Sequence, residues 1–124
     1  MRLLLDAHAF LWWLTGSPAL TARARQAVSD PGNDILIGIG TLWELTIKRS
    51  LRKLHFPHDL ETVVRDEGFA VIGISFVHLR TLETLPHLHR DLFDRLLFAQ
   101  SMADHVPIIT GDHAFGAYGA TLIW

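Results

Sequence analysis

Arg2-Leu3-Leu4-Leu5-Asp6-Ala7-His8 decides how the chain is read, because an apolar run stops there at a single acidic residue. A strand that is apolar at every position is covered on both faces, as in a parallel sheet packed between helices. In such sheets ligands bind beyond the carboxyl ends of the strands, where strand order reverses. Asp6 is therefore either the cap of the helix that follows or part of a site. Two further apolar runs, Ile35 to Ile39 and Pro107 to Thr110, also lead into acid-bearing helix starts.

Outward from Asp6, His8 to Leu14 reads as a short helix closed by Thr15-Gly16-Ser17-Pro18. Trp12 and Trp13 sit side by side on it, about 100° apart around the axis. Both indoles cannot point to the centre of one buried face, so one of them is a candidate contact for another chain. Thr21 reads as the cap of a helix from Ala22 to Ser29, which the Asp30-Pro31-Gly32-Asn33 turn ends. After the Ile35 to Ile39 strand, a third helix is expected from Leu42 to Lys53, with Thr41-Leu42-Trp43-Glu44 as its capping box. His58 to Asp66 reads as a helix, Phe69 to Ile74 as a strand, and Ser75 as the cap of a helix through Glu83. Asp91 to Ala103 has the strongest helical pattern. Val106 to Thr110 is a strand, Asp112 opens a short helix to Tyr118, and Thr121 to Trp124 is the last strand. Strands alternating with helices predict an α/β fold with a parallel sheet covered on both faces.

The 124 residues are expected to form one domain over residues 1–124. A net charge of −2 argues against a uniformly basic nucleic-acid surface, though not against a local basic stripe. Lys48, Arg49, Arg52 and Lys53 are the densest basic run, and a solvated helix end accounts for them. Cysteine is absent, which removes disulfides, thiolate catalysis and Cys-type zinc sites. No apolar run approaches the roughly 20 residues that span a bilayer, so the expectation is a cytoplasmic protein without a membrane partner.

Asp6, Glu44, Asp94 and Asp112 are each expected in the first turn of a helix. A carboxylate there stabilises free backbone N–H groups, and a cap contributes about 0.5–2 kcal/mol. Taken together the acids carry more, because right-handed crossovers put the strand-to-helix junctions on one edge of the sheet. Asp6, Glu44 and Asp112 should then lie near one another, and clustered carboxylates repel unless a cation sits between them. An all-oxygen cluster suits Mg²⁺ or Mn²⁺, ions that serve phosphate chemistry.

Four blocks carry a resemblance: Leu3-Leu4-Leu5-Asp6-Ala7-His8-Ala9-Phe10-Leu11-Trp12, then Trp43-Glu44-Leu45 with Lys48, then His89 to Leu97 with Ala99-Gln100, then Thr110-Gly111-Asp112 with Phe115. In this order they resemble the PIN-domain ribonucleases, and more narrowly the VapC-type toxins of bacterial toxin–antitoxin pairs. The resemblance implies a three-layer α/β/α fold on a parallel sheet of about five strands. It implies a Mg²⁺- or Mn²⁺-dependent RNA endonuclease that forms a homodimer and a larger complex with a cognate antitoxin. Matched by motif, Asp6, Glu44, Asp94 and Asp112 are the catalytic and metal-holding acids, with Asp91 accessory one turn before Asp94. Arg95, Arg90 and Lys48 are candidate phosphate contacts on the RNA, and for Arg95 a surface pairing with Asp91 competes with that role. Ala7 stands where related sequences carry a hydroxyl residue, Leu92 where they carry proline, and Gly111 where they carry alanine.

Other assignments account for fewer residues. His89-Arg90-Asp91-Leu92 mimics a kinase catalytic loop but has Leu96 where that loop needs Asn. The pair His87 and His89 could bind a transition metal, yet has no further ligand nearby in sequence. Trp43 and Trp124 read as core or interface rather than base-stacking platforms. The alternative class is a non-catalytic α/β binding or signalling module with an acidic metal pocket. A receiver-like module would carry its acceptor Asp after the third strand, where this chain has Ile74-Ser75.

Overall fold

The computed structural model describes residues 1–88 and 91–124. Its elements in chain order are β1 (Arg2–Leu5), α1 (Ala7–Thr15), α2 (Ala22–Ser29), β2 (Asp34–Gly38), α3 (Ile39–Ser50) and α4 (Leu60–Asp66). They continue with β3 (Ala70–Ile72), α5 (Phe76–Thr84), α6 (Leu92–Asp104), β4 (Ile108–Ile109), a 3-10 helix (His113–Tyr118) and β5 (Leu122–Ile123). The strands form one parallel sheet in the order β3-β2-β1-β4-β5. The chain therefore builds outward from β1 to β3, then returns to the other side of β1 for β4 and β5. The switch point lies between β1 and β4.

Alternation along β1 sorts its side chains into two layers. Leu3 and Leu5 face a core shared with Ala9 and Phe10 of α1, Ala24 and Val28 of α2, Leu45 of α3 and Val64 of α4. Leu4 faces the opposite core, with Leu97, Phe98 and Ala99 of α6 and with Phe115 and Tyr118 of the 3-10 helix. Leu3, Leu4 and Leu5 are all fully buried, which is why the run is apolar at every position. The result is the expected three-layer α/β/α architecture with a five-stranded parallel sheet.

Most helix ends follow local chemistry. Asp6, Thr21, Asp59, Ser75, Asp91 and Asp112 each accept a backbone N–H at a helix start, and Gly16 closes α1 in the left-handed region at φ 65°. The third helix is different. It begins at Ile39 with Gly38 as a cap that makes no side-chain hydrogen bond. The expected Thr41/Glu44 capping box is therefore absent, and Thr41 is a buried residue inside the helix. Tertiary packing decides this start: a Cβ on Gly40 would come within 2.6 Å of Leu96 Cδ2, so the first turn of α3 is pressed against α6. Gln100 of α6 completes the junction by donating to Gly73 O at 3.1 Å, beyond the end of β3.

No helix among the described residues is long and apolar enough to cross a membrane.

Candidate active site

Asp6 leaves β1 and caps α1, with Oδ1 accepting from Ala9 N at 2.7 Å. Its other oxygen, Oδ2, accepts the hydroxyl hydrogen of Thr110, the residue that follows β4 on the adjacent strand. The same Thr110 Oγ1 accepts from Asp112 N at 3.0 Å, and Asp112 Oδ1 caps the 3-10 helix through Ala114 N at 2.9 Å. Thr110 thus couples the two acids across the switch point. Burial pushes the Asp6 carboxyl up from its ordinary value; the bonds from Thr110 and Ala9 and the charge of His8 oppose it, and the nearby Asp112 charge adds a smaller push upward. Asp6 is 6% exposed, so its negative charge lies in a poorly solvated place.

Asp6 and Asp112 line one cavity of about 460 Å³ together with His8, Trp12, Gly111 and Trp124. Trp124 and Gly111 fit each other. A Cβ on Gly111 would lie 2.8 Å from both Cε2 and Cζ2 of the indole. The glycine beside Asp112 therefore makes room for the ring. Thr110 and Trp124 were not singled out for this site from sequence, although a hydroxyl residue ending a strand two places before an acid is a visible signal for the first.

The remaining acids are placed by other elements. Asp94 lies in the first turn of α6, where its N–H donates to Asp91 Oδ1 at 2.9 Å, so Asp91 and not Asp94 is the cap. The helix reaches the amino end of β4 through His105–Pro107, and a run of 13 residues extends about 20 Å. Its first turn, with Asp91 and Asp94, therefore faces the carboxyl edge of the sheet where Asp6 and Asp112 sit. Glu44 is in the body of α3 rather than its first turn, and is paired with Lys48 at 3.1 Å with its own side chain only 13% exposed. The helices that bear Glu44 and Asp94 meet through Trp43 and Phe93, whose rings stand edge to face at 5.3 Å. Among the described residues, no three His, Asp or Glu side chains stand at metal-holding spacing. Of the four sequence-derived acids, Asp6 and Asp112 are the two found in one cavity.

Arg95 is placed differently from either expectation for it. Its guanidinium is buried and donates to Pro86 O at 2.8 Å, Tyr118 Oη at 3.3 Å and Leu85 O at 3.4 Å. It holds the connection before α6 onto the 3-10 helix and is turned away from any phosphate in solvent. Arg90 and His89 lie outside the described residues. His87 is exposed. Trp12 packs on Trp124 at 5.8 Å, and Trp13 Nε1 donates to Glu67 Oε2 at 3.0 Å, so each indole of the pair has a partner within the chain. Trp43 is 60% exposed, which removes it from the core.

The donor set around Asp6 and Asp112 consists of carboxylates and a hydroxyl. Mg²⁺ is commonly held by one or two carboxylates while keeping several waters, so these residues fit a hard divalent ion without a third acid in the inner set. They do not fit a soft or imidazole-seeking metal.

A structure of VapBC2 from Rickettsia felis bound to a DNA fragment from their promoter superimposes with a TM-score of 0.70 at 15% identity, over 98% of this chain and 97% of that one. At that identity the likeness establishes the fold. A search of curated proteins gives no match. The sequence profile of the PIN domain covers residues 3–120, nearly the whole length, and the chain belongs to the PIN domain family, whose members are generally nucleases.

Proposed function

We propose that the chain is a Mg²⁺- or Mn²⁺-dependent endoribonuclease and the toxin of a bacterial toxin–antitoxin pair. The observation that carries this is the buried Asp6 carboxylate facing Asp112 at the switch point of the sheet, the place where α/β folds bind ligands. A buried acid held next to a second acid is electrostatically costly, and a divalent ion relieves that cost.

Asp6 and Asp112 would hold the ion, and a bound ion would supply Lewis-acid stabilisation of phosphate charge and a water of lowered pKa. Thr110 keeps the Asp6 carboxylate turned toward Asp112 through the two hydrogen bonds of its hydroxyl. Asp94 and Glu44 complete the pocket from α6 and α3, with Asp91 fixing the first turn of α6. Lys48 would serve as a phosphate contact, a role that its 41% exposed side chain beside Glu44 supports.

The partner assignments have separate support. The Rickettsia felis structure is a VapBC2 complex, which supports a cognate antitoxin for this chain. Exposed apolar side chains, Phe76 at 78% on α5 and Leu92 at 78% on α6 with Trp43 between α3 and α6, support a homodimer and a larger toxin–antitoxin complex.

Incubation of the purified protein with single-stranded RNA, with Mg²⁺ and with EDTA, tests the assignment. Cleavage that needs the ion and is lost in Asp6→Asn is expected. Absence of metal-dependent cleavage would favour a non-catalytic binding module on the same fold.

A further inference from the structure

The cavity that contains Asp6 and Asp112 is walled on one side by rings. His8 and Trp12 lie 5.5 Å apart at 35°, and Trp12 and Trp124 lie 5.8 Å apart at 51°. His8 is exposed, whereas both indoles are half-buried and also touch the core around α1. Two features separate this wall from ordinary core packing. The rings border an open cavity of about 460 Å³ in place of other side chains, and Gly111 gives up its Cβ so that the Trp124 indole can lie against the backbone next to Asp112. A cavity of this size is within the range that accepts a small planar ligand.

We propose that Trp12 and Trp124, with His8 at the rim, form a stacking subsite for one unpaired nucleobase of the RNA whose phosphodiester is bound at Asp6 and Asp112; the subsite rests on the nuclease assignment above. An indole offers a flat face that any base can stack on, and such stacking is sequence-tolerant and restricted to bases that are not already paired. The placement is what makes the wall specific. Asp6 and Asp112 occupy the same cavity as the rings, so a strand whose phosphate sits at the acids has its neighbouring base within reach of the indoles. The wall would therefore set which phosphodiester of a strand reaches the acids. Gly111 is a positioning residue for it, because an added methyl would displace the Trp124 ring.

The test uses the Asp94→Asn protein with Mg²⁺, labelled at the indole nitrogens. Trp12→Phe and Trp124→Phe assign the two resonances. Titration with a single-stranded oligoribonucleotide should shift both, and an abasic oligomer of the same length should shift neither. In the otherwise unaltered enzyme, Trp124→Ala and Gly111→Ala should raise KM on the order of 10-fold with kcat largely kept, and Trp124→Phe should restore most of it. Equal shifts with the abasic oligomer, no shift with either, or an unchanged KM would overturn the subsite while metal-dependent cleavage persisted. Shifts produced only by a protein partner would overturn it too, assigning the wall to a protein contact. Failure of the wild-type protein to cleave RNA would refute the nuclease assignment instead, and the indole titration would still decide whether bases stack here.

Discussion

Thr110 donates its hydroxyl hydrogen to Asp6 across a separation of 104 residues, tying the end of β4 to the end of β1 at the switch point. Ala7 carries no hydroxyl, and the hydroxyl on Asp6 comes from Thr110, the residue that follows the neighbouring strand β4. Thr110→Val keeps the shape but removes one donor to Asp6 and one acceptor for Asp112 N. Loss of a hydrogen bond that orients metal-holding groups typically costs about 10- to 100-fold in affinity or activity. Metal-dependent cleavage by Thr110→Val should fall by that amount and return in Thr110→Ser, as measured by initial rates at saturating Mg²⁺.

Asp6 makes the metal-free protein respond to pH with a definite sign. Its folded-state pKa lies above the ordinary 3.8, chiefly because it is buried, so the folded chain holds that proton more tightly than the unfolded chain. The stabilisation is present in acid and is lost as pH rises through the folded value. Asp6→Asn removes the charge and can still accept from Ala9 N. As pH rises through the interval from the ordinary carboxylate value to the raised folded one, the melting temperature of Asp6→Asn in EDTA should gain on that of the wild type. A constant difference across that interval would show that Asp6 is not desolvated.

Arg95 and Lys48 should separate cleanly. Arg95→Met leaves the carbonyl of buried Leu85 without its donor and removes the bond to the more exposed Pro86 carbonyl, a loss of about 2 kcal/mol, or roughly 7 °C in melting temperature. Lys48→Ala breaks a partly exposed i,i+4 pair with Glu44, which contributes at most about 0.5 kcal/mol. If Lys48 meets an RNA phosphate, its removal should lower the slope of log affinity against log salt by about 1, and Arg95→Met should not change that slope.

At α6 the cap and the acid are different residues. Asp91→Ala should destabilise the protein by about 1 kcal/mol, because it removes the acceptor for Asp94 N. Asp94→Asn leaves that bond in place, so it should abolish cleavage with little change in melting temperature. A large fall in melting temperature for Asp94→Asn would instead assign Asp94 a structural role.

The parallel sheet was legible because Leu3-Leu4-Leu5 and Ile35-Leu36-Ile37 are buried on both faces, and that burial leaves an unbroken apolar run in the sequence. Asp6, Asp91 and Asp112 were legible as helix starts because capping is local chemistry. What depended on contacts between distant segments was not. The α3 start moved to Ile39 because Gly40 meets Leu96, which overrides the Thr41/Glu44 pattern. Arg95 turned inward because Leu85, Pro86 and Tyr118 present acceptors that no local pattern announces. Trp124 reached the acids because β5 pairs with β4 and Gly111 leaves room for the ring. Right-handed crossovers led to the expectation that Asp6, Glu44 and Asp112 lie together; Asp6 and Asp112 share a cavity, whereas Glu44, in the body of α3, is paired with Lys48.

Crystals soaked in Mn²⁺ and measured at the manganese absorption edge test the central claim most directly. An anomalous peak within coordinating distance of carboxylate oxygens from both Asp6 and Asp112, lost in Asp6→Asn crystals, is the predicted result. Crystals that show no peak at that cavity, or one held elsewhere on the surface and unaffected by Asp6→Asn, would contradict it.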